Sequence, residues 1–469
     1  MKLFSASSPN IIAKSSNNSS KVIDLVVNND LCIGCGLCVY ACPAKALEMK
    51  INEFGFLVPS LVGDCDCDGS CISVCPFNIF PDKNVKTENE LAKLYVKESK
   101  KSHPQIGRYQ NIYAGYSHEY RLTSSSGGIG TFVLAELLEN GIVSHVFSVK
   151  KDGVNGEHYK YAISSSKKEL LESSKTRYFP VTLSEVFSNI NNLEGNIAIV
   201  GVSCFVKAVR LAQYRDPILK NKINFLVGII CGGVKSSFFT EYLAGKTGVT
   251  KENISNPNYR TKDFDSSAGD YSFDCEDSES KEKSSIRMRE VGDMWGTGLF
   301  KANACDFCDD VTTELADISI GDAWLEPFVT DGRGDNVIVT RSDLAEKIIQ
   351  DGISKHKVNL EYLPLDRFIS SQKGSFNHRH LGLPYRVQNA TKKGLLLPPK
   401  RIETDESSIF FKIVQYFRRR ARVSSLELWK KYPNALIFDR KIKMNLFFLN
   451  FFTRINHKII ALYKKLQIK

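Results

Sequence analysis

The 469-residue sequence contains no run of about 18 apolar residues, the least a helix needs to span a bilayer. "LFFLNFF" (446–452) is the longest candidate and is far too short. The first residues, "MKLFSASSPNIIAKSSNNSS", lack the apolar stretch of a signal peptide and are expected to form a disordered polar leader over 1–20. Histidine is scarce: none of the eight is spaced as in a zincin, and neither a Ser–His–Asp set nor a carboxylate pair presents itself, which argues against the common hydrolases. Excess charge is missing from most of the chain too. Residues 400–469 hold 17 Lys and Arg against 5 Asp and Glu, whereas the rest hold 46 against 47, so the net charge of +11 belongs to a tail.

Cysteine, in contrast, is abundant. Thirteen cysteines without a signal peptide point to a reducing, cytoplasmic compartment and to metal sites rather than disulfides. Eight lie between 32 and 75, and Cys204, Cys231, Cys275, Cys305 and Cys308 follow at wide intervals. The length predicts roughly two to four domains.

"CIGCGLCVYACPAKAL" places Cys32, Cys35, Cys38 and Cys42 in the C-x2-C-x2-C-x3-C-P spacing of a bacterial iron–sulfur ferredoxin. The two-residue gaps wrap three thiolates around one cubane, and Gly34 and Gly36 let backbone N–H groups approach sulfur. Zinc knuckles use two well-separated pairs instead. The second block, "GDCDCDGSCISVCPFN", has Cys65, Cys71 and Cys75 where that pattern needs them, but Asp68 at the fourth position and Cys67 beside it. One 4Fe–4S cluster is then expected on Cys32, Cys35, Cys38 and Cys75. A second is expected on Cys42, Cys65, Cys71 and either Cys67 or Asp68, thiolate being the softer ligand. "LEMKINEFGFLVPSLV" between the blocks predicts a hairpin.

After a polar, partly helical connector, the chain alternates strands and helices. In "YRLTSSSGGIGTFVLAELLENGIVSHVFSVK", Ser125, Ser126, Gly127 and Gly128 form a small-residue turn opening a helix, which suits either a phosphate group or close packing. "GNIAIVGVSCFVKAVRLA" and "INFLVGIICGGVKSSFF" read as strand–loop–helix units carrying Cys204 and Cys231 at the strands' carboxyl ends, where α/β folds place ligands. "CDFCDDVTTELADISIGDAW" adds Cys305 and Cys308. These four cysteines make a third cluster if the fold gathers them at strand ends; each alone reads as a small core residue. Cys275 is left over.

Taken in order, "SSSGGIGTFVLAELLENG", "GVSCF", "GIICGG", "YRTK", "CDFCDD…ADISIGDAW" and "DGRGDN" resemble the beta subunits of coenzyme F420 hydrogenase/dehydrogenase, over roughly residues 115 to 385. The resemblance implies an FAD site beside a 4Fe–4S cluster, with Cys204, Cys231, Cys305 and Cys308 as its ligands. It assigns Lys175, Arg260 and Lys262 to FAD pyrophosphate or an anionic substrate, and Asp322 and Trp324 to the site's lining. This chain departs from the family pattern at Ser203, Phe205, Ile230 and Gly232, the last replacing a histidine.

The expected architecture is an α+β ferredoxin-like dicluster domain, an α/β iron–sulfur flavoprotein domain and a helical basic tail. The expected divisions are the leader (1–20), the ferredoxin domain (21–85), a linker (86–114), the two parts of the body (115–205 and 206–385), a second linker (386–410) and the tail (411–469). The tail alternates aromatics with Lys and Arg at helical spacing, which suits the inner membrane face or a helical pair packed on protein. The expected activity is oxidoreduction: hydride exchange at FAD with a small-molecule substrate or an F420-like carrier, and single electrons exchanged with a redox partner protein. The alternative is a non-catalytic electron-transfer subunit. No nucleic-acid-binding motif is present.

Overall fold

The computed structural model describes residues 19–152 and 158–467, so all but the last two residues of the expected leader lie outside the described residues. Near the N-terminus, β1 (Leu47–Ile51) and β2 (Leu57–Leu61) form the expected antiparallel hairpin. The Asn52 carboxamide accepts from the N–H groups of Phe54 and Phe56, both at 3.0 Å, which closes the turn. Four-residue helices, Leu37–Tyr40 and Ser70–Ser73, lie within the two cysteine runs and carry Cys38 and Cys71. Together these elements form the head.

The connector is folded. A helix at Glu88–Tyr95, started by a capping box between Thr87 and Glu90, leads to the hairpin β3 (Lys101–His103) and β4 (Gly107–Tyr109). The body's main sheet is built from β5 (Ile112–Ser117), β6 (His145–Lys151), β7 (Tyr159–Ser164), β8 (Ile197–Val202) and β9 (Ile223–Ile229). A separate three-stranded antiparallel sheet comprises β10 (Ile254–Thr261), β11 (Ser272–Asp277) and β12 (Lys283–Arg287). The chain then returns to the main sheet with β13 (Ile318–Asp322), β14 (Asn336–Thr340) and β15 (Val358–Tyr362).

The main sheet has the order β15-β5-β14-β13-β9-β8-β6-β7. Its centre, from β13 through β9 and β8 to β6, is parallel, and the flanking pairs are antiparallel. Ile197 and Ile199 of β8 pack with the helix Ser203–Arg215 on one face, while Ala198 packs on the other with Phe132 of the helix Ile129–Glu139. This two-residue alternation explains why these strands read as near-continuous apolar runs: both faces are covered.

The head is docked against the body. One hydrophobic core runs from Leu31, Leu37 and Val74 of the head to Ile197, Phe205 and Ala316 of the body. The Leu183 N–H donates to the Cys35 carbonyl at 3.0 Å, and the Tyr40 hydroxyl donates to Asp216 at 3.0 Å. Gly36, at φ 80°, permits this approach: a Cβ there would lie 2.0 Å from Thr182 Oγ1. The hairpin tip is also held, its Gly55 carbonyl accepting from Ser237 N at 2.9 Å.

The two segments expected as linkers differ from that description. Glu88 forms a 3.0 Å ion pair with Lys207, both buried, and the half-buried Arg401 binds the buried Glu314 at 2.6 Å. The tail follows the packed-pair alternative through much of its length. Its helices, Ile409–Lys431 and Ala435–Gln467, lie against each other and against Ser237–Lys246. Trp429, 2% exposed, donates to Glu241 at 2.8 Å and packs on Phe300 and Phe438. Arg422 reaches across to Asp306 at 3.0 Å. Among the described residues no helix is long and apolar enough to cross a membrane.

If Trp429 is a core residue rather than part of an appended tail, Trp429→Ala in the full chain should cost about 3–5 kcal/mol in denaturant unfolding. A loss below about 1 kcal/mol would show that the tail contributes little to the fold.

Candidate functional site

All thirteen cysteines are free of disulfides, and most fall into three neighbourhoods. In the first, burial raises the thiols of Cys32 to about 12 and Cys35 to about 11, and raises those of Cys38 and Cys75 well above the usual range. Cys38 and Cys75 also feel the thiols of Cys32 and Cys35, so the four lie together. The Gly34 N–H points at Cys32 Sγ from 3.4 Å.

In the second neighbourhood Cys65, Cys67 and Cys71 interact. Cys42, the remaining thiol expected here, is buried in the head's part of the core, as is Cys71. Cys67 takes a left-handed φ of 57°, and its Sγ donates to the Ser19 carbonyl at 3.2 Å. The Asp68 carboxylate is engaged elsewhere: it accepts from Ser70 N at 2.8 Å and from the Ser70 hydroxyl at the start of the helix Ser70–Ser73. Those bonds, with the charges of Lys21 and Arg215, hold its carboxyl below the usual range. Asp68 therefore has a local role that needs no iron, and Cys67 carries the thiol nearest to Cys65.

The third neighbourhood lies over the carboxyl edge of the main sheet. Cys204 opens the helix after β8, and Cys231 follows β9. Cys305 and Cys308 do not sit at a strand end, contrary to expectation. They belong to the turn Asn303–Phe307 and the residue after it, well before β13, on a segment laid across the ends of β8 and β9. The Ser203 hydroxyl donates to the Asp310 carbonyl at 3.1 Å, and the Thr313 hydroxyl to the Ile229 carbonyl at 2.8 Å, which fix that segment. Cys204 feels Cys305, Cys308 and Cys231 in turn, and then Cys35 of the head. Burial pushes the Cys308 thiol up to about 12. Tyr161, buried between Cys204 and Cys35, donates to the Val200 carbonyl at 2.8 Å.

Such donor sets fit a cubane, which takes one thiolate per corner. Among the described residues no three His, Cys, Asp or Glu close around a single metal ion. Burial makes these thiols resist ionisation, and iron would supply charge that stabilises them as thiolates. Cys275 stands apart, buried in the core beside Thr247.

Beyond Cys231 the structure gathers the residues expected around a flavin. Trp295 covers Gly232, where a Cβ would lie 3.0 Å from the indole. It meets Tyr178 edge-on at 4.7 Å, and Tyr178 adjoins Arg260. Arg260, on β10, forms a 2.7 Å ion pair with Asp322 at the end of β13, and Trp324 lies beneath its guanidinium. Lys262 donates to the Ser126 carbonyl at 2.8 Å and to the Arg121 carbonyl. Ser125 Oγ accepts from Thr176 N at 2.9 Å, which brings Lys175 and Arg177 to the same place.

Gly127 and Gly128 are accounted for by packing. A Cβ on Gly127 would lie 2.6 Å from the Gly115 carbonyl oxygen, and one on Gly128 2.6 Å from the Tyr120 carbonyl carbon. The first free N–H of the helix, on Ile129, is taken by Asn336 Oδ1 at 3.1 Å. The phosphate reading of these two glycines therefore loses ground to the packing reading, which leaves the cations as the candidate anion-binding feature of the site.

Sequence reasoning passed over Arg121 and Arg177. Arg121 is held by Asp335 at 2.8 Å and Asp331 at 3.1 Å, both from "DGRGDN". Arg177 stacks on Tyr159, and its Nε, like that of Arg260, is buried without a hydrogen-bond partner. Its place two residues after Lys175 was the signal available. Several cations sharing few carboxylates, with two orphaned guanidinium nitrogens among them, fit an anionic group such as a dinucleotide pyrophosphate.

The profile of the coenzyme F420 hydrogenase/dehydrogenase beta subunit matches here in two parts, its N-terminal region at residues 112–188 and its C-terminal region at 194–364. A 4Fe-4S binding domain matches at 25–48. The chain belongs to the family of coenzyme F420 hydrogenase/dehydrogenase beta subunits. It is 24% identical over 357 residues to the coenzyme F420-dependent sulfite reductase of Methanocaldococcus jannaschii, covering 72% of this chain and 48% of that protein. It is 22% identical over 322 residues to a subunit of the F(420)H(2) dehydrogenase of Methanosarcina mazei, covering 65% and 80%. The head is 38% identical over 69 residues to a ferredoxin of Pyrobaculum islandicum, covering 15% of this chain and 62% of the ferredoxin. The family member therefore spans about half the length of the sulfite reductase. A chain of the F420-reducing [NiFe] hydrogenase complex of Methanosarcina barkeri superposes with a TM-score of 0.45 at 19% identity, covering 60% of this chain and 92% of that one.

Lys262 provides a test of the anion site in this family member. Burial first, then Lys175, Arg260 and Arg121, hold its ammonium down to about 7. Without an anion its charge is therefore lost as pH rises through about 7; a bound anion restores it, with uptake of a proton. ADP, whose own phosphate charge is constant above about pH 7, should bind several-fold more weakly at about pH 9 than at about pH 7 in calorimetry. Lys262→Met should flatten that dependence. A wild-type affinity independent of pH would contradict the account.

Proposed function

We propose that the chain is an iron–sulfur flavoprotein that carries single electrons between a redox partner and an FAD, which exchanges a hydride with a small substrate or an F420-like carrier. What supports this most is the placing of Cys35 beside Cys204, with the cation site beyond Cys231. In this reading one cluster sits on Cys32, Cys35, Cys38 and Cys75 and a second on Cys42, Cys65, Cys67 and Cys71. A third sits on Cys204, Cys231, Cys305 and Cys308. The FAD site is formed by Ser125, Ser126, Lys175, Arg260, Lys262 and Asp322, with Arg177 added.

The bound groups supply one-electron transfer at the clusters and conversion to two-electron hydride chemistry at the flavin. The protein's own residues do the rest. Lys175, Arg177 and Lys262 would neutralise the pyrophosphate. Arg260, fixed by Asp322, would hold its position against the site's edge, and Trp295 and Tyr178 exclude water between the third cluster site and the flavin site. A second reading is favoured by Gly232: Trp295 occupies the space where the family pattern has a histidine, so no imidazole donates protons there. In that reading the chain is an electron-transfer subunit serving a partner enzyme, and the Methanosarcina mazei relative is likewise one subunit of a dehydrogenase.

Anaerobic purification with iron, sulfide and flavin assays separates the readings. Roughly twelve irons and one flavin per chain are expected; eight irons and no flavin would favour the electron-transfer subunit. Cys67→Ala should lose about four irons and Asp68→Ala none, and the reverse result would make the aspartate the ligand.

The outer part of the last helix supports peripheral membrane contact. Phe447, Phe448 and Phe451 are 57%, 39% and 48% exposed. No acid follows Asp439, while eight Lys and Arg do. A stripe of this kind suits an anionic bilayer surface at the inner membrane face of a reducing compartment. The full chain should float with vesicles containing anionic lipid and not with neutral ones, and replacing the three phenylalanines by serine should abolish it. Equal flotation of wild type and variant would end the proposal, and the substitutions spare the packed Trp429 region.

A further inference from the structure

The buried charges around the third cysteine group are unevenly matched. Lys301 and Arg422 share Asp306, at 2.7 and 3.0 Å, and Arg401 binds Glu314 at 2.6 Å. Arg379, on the π-helical turn Asn377–Leu381, is 3% exposed and pairs with no carboxylate among the described residues. Its guanidinium donates to Cys308 Sγ at 3.5 Å and to the Asp310 carbonyl, and it also reaches the thiols of Cys231 and Cys305. A guanidinium stays charged under all ordinary conditions, and a buried charge without a counter-charge is strongly unfavourable. Asp309 beside it is paired to Lys400 and Arg401, and Asp310 offers Arg379 its carbonyl, so the groups Arg379 reaches that can supply a counter-charge are the thiols once ionised on iron.

We propose that Arg379 is the built-in counter-ion of the third cluster, a positioning residue that fixes Cys308 and Cys231 and raises that cluster's reduction potential above those of the head. The inference rests on the reading that Cys204, Cys231, Cys305 and Cys308 hold a 4Fe–4S cluster. The physics is direct. When one electron leaves a reduced head cluster and enters the third, no bond is made or broken. The head loses one unit of negative charge and the third site gains one. A fixed positive charge and N–H···S hydrogen bonds at the receiving site favour that gain. At the head, Asp64, Asp66 and Asp68 line the second cysteine block and oppose electron gain there. With Asp306 and Asp309 already paired to cations, the charge of Arg379 would favour electron flow from head to body, toward flavin reduction at the partner's expense.

The test is a redox titration, followed by electron paramagnetic resonance, of the anaerobically loaded full chain, with iron counted in each sample. Arg379→Gln should move the third cluster's midpoint to more negative potential and leave the head's midpoints in place, while Arg379→Lys should return it toward the wild-type value. Loss of the third cluster's iron in the glutamine variant alone would equally support the charge requirement. Unchanged midpoints in Arg379→Gln, or the same shift or the same iron loss in both variants, would overturn the proposal by making the role one of packing. A wild-type chain that binds only the head's iron would instead remove the cluster reading on which the proposal stands.

Discussion

The docking of the head on the body is the constraint on which the rest of the structure depends. It is made of ordinary parts: a backbone hydrogen bond from Leu183 to Cys35, a glycine at position 36 where any side chain would strike Thr182, a tyrosine bonded to Asp216, and a common apolar core. A ferredoxin module tethered by a free linker would meet the body by chance encounter. Here the helix Glu88–Tyr95 and Arg401 weld the connecting segments to the same core, so the cysteine groups keep fixed places relative to one another. The order from head to body, second block, first block, third group, then cation site, follows from that contact.

Charge is distributed to suit this order. The head's second block is flanked by exposed aspartates, the third group by Arg379, and the far site by several cations that share Asp322, Asp331 and Asp335. Buried cations lacking nearby carboxylates are unfavourable until an anion arrives. Among the described residues, unmatched positive charge thus marks two places that suit negatively charged groups, one beside Cys308 and one around Arg177 and Arg260. The C-terminal helices belong to the same scheme through Arg422, which shares Asp306 with Lys301 beside Cys305.

Much of this was legible in the sequence, for reasons that differ by element. The four-cysteine run and the hairpin after it are local features, in which spacing alone dictates geometry. Strands β8 and β9 declared themselves by apolar runs because both faces are buried. Cys305 and Cys308 could be grouped with Cys204 and Cys231 by number, but their place on a segment crossing two strand ends depends on tertiary contacts made by Ser203 and Thr313. Arg379 and Arg177 carry no motif: among the described residues neither pairs with a carboxylate, which only the packed structure shows. The tail's alternation of aromatics and cations was ambiguous because its two helices use that pattern both for packing and for an exposed stripe. Trp429 and Phe438 face the core, and Phe447 and Phe451 face outward.

The measurement that tests the central claim most directly is electron paramagnetic resonance of the fully reduced chain. If docking holds the first cluster beside the third, their unpaired spins interact, and the spectrum should show splittings or broadening that vanish in Cys204→Ala while the head's own signals remain. A wild-type spectrum equal to the simple sum of non-interacting clusters would contradict the account, because it would place the head's clusters too far from the body to pass electrons along the proposed path.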